Sequence, residues 1–258
     1  YVDSYIYTIR DLDFEDWLIG IEVEGNIDSN NDEIYMVNIL QIITYYNNNN
    51  IETLETRKKL IKLIFDYLEK ENKTEIIKKL LNKSDSIKTK IIEIPSFLIK
   101  NNNLLLEYII DNYKKYIDVE NEWWKNERDL LLTAIHYQNP NLVEKLLNLG
   151  IKFDLKQTNE NKNNVLHYII YNLSSLYKYE QTNETTEKIE KFKEILINLI
   201  DKVDLETLTQ KNKYLETPYY LLFQELEDFL SPKELEYIAN KMKNRYKELK
   251  NNKDINYE

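Results

Sequence analysis

Cysteine is absent from the chain, which excludes disulfides, thiolate-ligated zinc, iron–sulfur clusters and a cysteine nucleophile. Glycine occurs three times and proline four times in 258 residues. An all-β sandwich or barrel needs many more tight turns than that supply allows. So few glycines leave little room for a phosphate-cradling loop, and neither G-x-G-x-x-G nor a P-loop is present. The two histidines, His136 and His167, have no H-E-x-x-H spacing, so no metal site is expected. No G-x-S-x-G turn offers a serine nucleophile. No apolar run reaches the roughly 18–20 residues that cross a bilayer. The opening Y-V-D-S-Y-I-Y-T-I-R-D-L-D does not read as a signal peptide, because acids interrupt any apolar core. Location is left open by these features, with a soluble, cytoplasmic setting favoured.

What is present is charge, unevenly spread. The formal net charge is −10, with 42% hydrophobic and 31% charged residues, an ordinary globular balance. Residues 1–40 hold ten acids against Arg10 alone, whereas residues 51–100 hold twelve Lys/Arg against eight acids. Nucleic acid is disfavoured by the whole chain, and the basic strip reads as solvated helix faces.

Along the chain, residues 1–33 form an acidic irregular segment in which Ile19–Gly25 alternates weakly, as a strand or hairpin arm does. Asp28–Glu33 resembles a calcium loop only faintly, lacking its central glycine and twelfth-position Glu. Residues 34–86 read as a helical N-terminal part or a degenerate capping repeat: Ile34–Asn47 as a buried helix, Ile51–Glu71 as an amphipathic one, and Thr74–Asn82 as a third. The clearest stretch is Asp129–Asp154. There Leu131, Leu132, Ala134 and Ile135 stripe one helix, Asn139 and Pro140 open a second, and Gly150 closes it. The segment Pro95–Asn112 repeats this plan at an offset of 37, Asn164-Val165-Leu166-His167 at 35, and Thr217-Pro218 follows Asn164 at 53. The last offset implies an insertion of about 20 residues near 172–186, since such units repeat about every 33. Ser231-Pro232-Lys233-Glu234 then opens a polar final helix ending near 250, ahead of a short tail, 251–258.

These features resemble the ankyrin repeat family over about residues 87–249. Asn164–His167 stands at the family's T-P-L-H position and Thr217-Pro218 keeps its Thr-Pro pair. The resemblance implies an all-α solenoid of helical hairpins with short projecting loops, and protein–protein recognition without catalysis or cofactor. It also implies that His167 bonds backbone between neighbouring loops. The glycines usual in that family are missing. Asn clusters at 47–50, 101–103 and 163–164 stand where they would fall, and Asn tolerates left-handed backbone.

Candidate partner-binding residues are those placed at projecting loops: Trp123 and Trp124 between units, Lys156, Asn159 and Lys162 in the next loop, and Tyr214 in the last. Tyr177 and Tyr179 in the expected insertion complete the set, because aromatic side chains anchor interfaces. The acidic N-terminal stretch favours a partner protein with a basic surface. Two rival readings are an enzyme whose site lies in residues 1–50, using Asp11, Asp13, Glu15 and Asp16, and a nucleic-acid-binding helical repeat using the 51–100 strip.

Overall fold

The computed structural model describes residues 21–25, 33–37, 51–82, 94–121, 124, 130–179 and 182–255. The chain divides into two compact units, Tyr1–Leu130 with Asn148–Lys152, and Leu131–Leu147 with Phe153–Glu258.

The first unit contains an antiparallel hairpin, β1 (Ile21–Gly25) and β2 (Glu33–Val37), with Ile21 opposite Val37 and Gly25 opposite Glu33. The expected strand near Ile19–Gly25 is therefore present. The helix expected from Ile34 is not, because Glu33–Val37 pairs with β1. Its Ile-Tyr-Met-Val run is rich in β-branched and aromatic residues, which suit a pleated surface. Residues 38–47, the rest of that expected helix, lie outside the described residues, as do the calcium-like 28–32 and the acids at 11–16.

From residue 51 onward the described chain is helical apart from turns. In the first unit these helices are α1 (Ile51–Lys70), α2 (Thr74–Asn82) and α3 (Ile94–Tyr113), followed by a 3-10 turn at Lys114–Tyr116. α1 buries Arg57, Ile61, Phe65 and Leu68, three or four residues apart, so they share one face. The α1–α2 connection reverses at Asn72, φ 57°, where the Asn72 and Lys73 amides bond back to Glu69 O and Leu68 O. That is a Schellman closure with Asn in the left-handed place.

Continuity of α3 corrects the expected repeat at 95–112. The backbone passes through Asn101–Asn103 as helix, where two helices and a turn were anticipated. No Gly or Pro stands there to stop it. Each Asn costs the helix about 0.5 kcal/mol relative to Ala. Burial of Leu105, Leu106, Ile109 and Ile110 gains about 1.5–3 kcal/mol apiece, so the helix wins.

The second unit is built from helical hairpins. α4 (Leu130–His136) and α5 (Pro140–Asn148) straddle its boundary with the first. They meet at Gln138, φ 53°, whose N–H donates to Ile135 O, and Asn139 Oδ1 caps α5 by accepting the Leu142 N–H. Gly150, φ 91°, closes this hairpin, and its absent Cβ would meet open space, so backbone alone demands glycine there.

α6 (Val165–Lys178) and α7 (Asn183–Lys202) pack together, as do α9 (Pro218–Leu226) and α10 (Pro232–Ile255). α6 also lies against α9 and α7 against α10, giving two layers, with short α8 (Leu205–Thr209) beside α9 and α10. The insertion expected near 172–186 is mostly helix: α6 continues to Lys178 and α7 begins at Asn183. Hairpin helices of seven and nine residues thus become fourteen and twenty. Buried Leu173, Leu176, Ile189 and Phe192 are why those residues pack as helix.

The Ser231–Glu234 capping box forms as expected, with Ser231 N–H donating to Glu234 Oε2 and Glu234 N–H to Ser231 Oγ. The Lys193 ammonium and the Ser231 groups hold the Glu234 carboxyl at about 2. Among the described residues, no helix is long and apolar enough to cross a membrane.

Candidate functional site

Two loops of the second unit repeat each other bond for bond. In Asn159–Asn163, the Asn159 carboxamide oxygen accepts the amides of Asn161 and Asn163 at 2.9 Å each. Asn159 N–H donates to Asn163 O, and Lys162 N–H to Asn159 O. In Asn212–Glu216, Asn212 Oδ1 accepts the amides of Tyr214 and Glu216, Asn212 N–H donates to Glu216 O, and Leu215 N–H to Asn212 O. The offset is 53, the spacing of the helix caps that follow, Asn164 and Thr217. Both turns place their fourth residue in left-handed backbone, Lys162 at φ 59° and Leu215 at φ 65°. The Asn163-Asn164 cluster expected to supply this geometry does otherwise. Asn163 bonds sideways and Asn164, φ −88°, is a helix cap.

A buried polar lattice beneath the turns holds them together. Asn164 Oδ1 accepts from Leu166 and His167 amides, while its Nδ2 donates to Thr207 O at 2.7 Å and Gln210 Oε1 at 3.0 Å. His167 is fully buried, and its Nε2–H donates to Glu216 O at 3.1 Å. Nδ1 lies 2.8 Å from Asn164 Oδ1 and 3.3 Å from the Asn164 amide nitrogen. Burial pushes the imidazole pKa below its usual range, outweighing the pull of Glu216. Asn212, also buried, donates to Asn163 Oδ1 and Glu216 Oε2, and the Tyr171 hydroxyl donates to that same carboxylate oxygen. Burial followed by the Glu216 bond pushes the Tyr171 hydroxyl up to about 12. A direct backbone bond, Lys213 N–H to Asn161 O at 2.9 Å, joins the two tips. Buried polar groups are costly unless satisfied and rigid when satisfied, so the lattice fixes the tips relative to one another.

Above the lattice the side chains are free to meet another molecule. Tyr214 is 66% and Leu215 75% exposed. Lys162, Lys211 and Lys213 are exposed and form no ion pair among the described residues. A leucine in left-handed backbone costs about 1 kcal/mol that glycine avoids. Leu215→Gly is therefore expected to raise stability by about 0.5–1 kcal/mol, read as a higher urea midpoint at unchanged slope.

The residues picked from sequence fall in different places. Trp124 is 1% exposed, and its indole N–H donates to Leu81 O at 3.2 Å, so it is core and not a docking anchor. A large aromatic between helices fills the space they leave, and nothing in its spacing distinguishes that from exposure. Trp123 lies outside the described residues. Lys156 is exposed but held by Asp204 at 2.9 Å and Glu206 at 3.0 Å, and the Asp204 bond first of all raises its pKa. Asn159 is consumed by its own turn and by a bond to the Tyr168 hydroxyl. Tyr177 belongs to α6, where its ring stacks on Phe229 at 5.3 Å, and burial raises its hydroxyl pKa. Tyr179 is exposed at the end of α6, away from either turn. Among the described residues of the set, Lys162 and Tyr214 are the exposed ones within the two turns. The exposure of Leu215 and the inward bonding of the loop residues Asn163, Asn212 and Glu216 were not anticipated. The repeated Asn, five residues before each helix cap, is the signal that marks them.

In the basic strip, Lys58, Lys62 and Lys78 each pair with an acid one turn away. Those pairs reduce the charge left for a phosphate backbone. Among the described residues, no group of three His, Asp or Glu side chains is placed to hold a metal ion. No family model, curated protein or solved structure matches the chain, so the linked turns are interpreted from their own geometry.

Proposed function

We propose that the chain is a non-catalytic protein-interaction module of ankyrin-like repeats, whose second unit recognises its partner at the two linked turns. One observation carries this reading. Two turns of identical hydrogen bonding stand at the same offset as their helix caps, locked from below and exposing unlike side chains above. The bond from His167 to the carbonyl just before Thr217 is what the family resemblance implies for that histidine. Rigid display lowers the ordering cost that association would otherwise incur. Recognition then depends on the tip side chains, while the lattice and helices serve as scaffold.

A photo-crosslinking residue at position 214 is expected to capture a partner protein from source cells. The same residue at Tyr237, exposed on α10 far along the sequence from both turns, is expected to capture little. Equal yields at the two positions would remove the turns from the recognition surface.

A further inference from the structure

We infer that the linked tips take an acidic, leucine-bearing segment of a second protein, an assignment that rests on reading the turns as the recognition surface. The charge is fixed by which groups are already engaged. Glu216 is turned inward to Tyr171 and Asn212. Asp204 and Glu206 are held by Lys156. Lys162, Lys211 and Lys213 remain exposed on two loops joined by the bond from Lys213 N–H to Asn161 O, with the exposed Glu160 an acid of the first loop. The tip is therefore a basic spot on a chain of net charge −10. At physiological ionic strength, charges beyond about 8 Å are largely screened, so nearby lysines decide what docks.

The second observation is independent of charge. Leu215 keeps an exposed apolar side chain at a backbone position where glycine would be more stable. An observed backbone strain of this kind points to a use for the side chain. With Tyr214 beside it, the tip offers an apolar contact flanked by ammonium groups. Its complement is carboxylates flanking an apolar residue. A nucleic acid offers phosphates but no apolar side chain for Leu215, and the chain's net charge opposes a long anionic polymer.

The test uses the full chain and a short fluorescein-labelled peptide of alternating Glu and Leu, read by fluorescence anisotropy and by hydrogen exchange. The peptide is expected to bind and to protect amides 159–163 and 212–216. The double variant Lys162→Glu/Lys213→Glu is expected to weaken binding about tenfold or more. Leu215→Gly should weaken it about fivefold, by about 1 kcal/mol, while unfolding no earlier than the wild type. If the same peptide with Lys for Glu binds better and protects these turns, the acidic class is overturned and the turns survive as a surface. Protection elsewhere, or indifference to the Lys variants, overturns the turns themselves. No binding of the acidic peptide, or tighter binding of oligothymidylate, overturns the inference, while crosslinking at position 214 judges the recognition surface separately.

Discussion

Trp124→Ala is expected to destabilise the first unit by about 3–5 kcal/mol, the usual cost of deleting a fully buried large aromatic. Two losses combine. The indole fills volume that neighbouring side chains cannot fully reclaim. It also supplies the N–H that satisfies Leu81 O at the end of α2, one of the carbonyls a helix terminus leaves without a partner. The adjoining carbonyl, Asn82 O, is met by the Asn121 side chain, and Asn82 in turn bonds Tyr116 O and the Asp118 amide. Tyr116, Asp118, Asn121 and Trp124 therefore close the C-terminus of α2. Trp124→Phe keeps most of the volume and loses the donor, so about 1–2 kcal/mol of the effect should remain. Urea unfolding followed by circular dichroism separates the two variants. A Trp124→Ala chain as stable as the wild type would mean that the indole is not packed as described.

His167→Ala is expected to cost about 2–4 kcal/mol, through lost packing and through Glu216 O left in the interior without its donor. The same residue sets a pH dependence whose sign is fixed. In the folded chain His167 is held neutral by burial, with its pKa below the usual value, whereas in the unfolded chain it titrates near 6.5. Below that pH the unfolded state binds more protons, so stability falls as pH drops from about 6.5 toward the folded pKa. Above it the contribution is fully present. Urea midpoints of the wild type should decline over that window, and those of His167→Gln should decline less. Parallel curves would place the acid sensitivity in other groups.

The helices were legible wherever apolar spacing was backed by a chemical stop: Asn139-Pro140, Gly150, Thr217-Pro218 and Ser231-Pro232-Lys233-Glu234 all mark boundaries the structure keeps. Asparagine alone was not a reliable stop. At 101–103 it is absorbed into α3, at 164 it caps, and at 72 it turns, because its modest preferences yield to whatever burial follows. Left-handed positions occupied by Gln138, Lys162 and Leu215 carry no compositional mark at all. Loop placement found Lys162 and Tyr214 but could not tell a free lysine from Lys156, whose partners Asp204 and Glu206 lie about fifty residues away. Nor could it tell an exposed tryptophan from Trp124. Burial and pairing are tertiary facts, and a local pattern does not contain them.

The paired turns also say something about how this surface can change. Every bond that shapes them uses main-chain atoms or the leading asparagine, and none uses the side chain of an interior residue. Glu160-Asn161-Lys162 and Lys213-Tyr214-Leu215 share no residue in corresponding positions yet adopt one geometry. The side chains at three consecutive positions in each loop can thus vary without reworking the scaffold, proline excepted where the amide donates and β-branched residues disfavoured at the left-handed position. A library randomised at those six positions would explore new specificities while the helices below stay as they are.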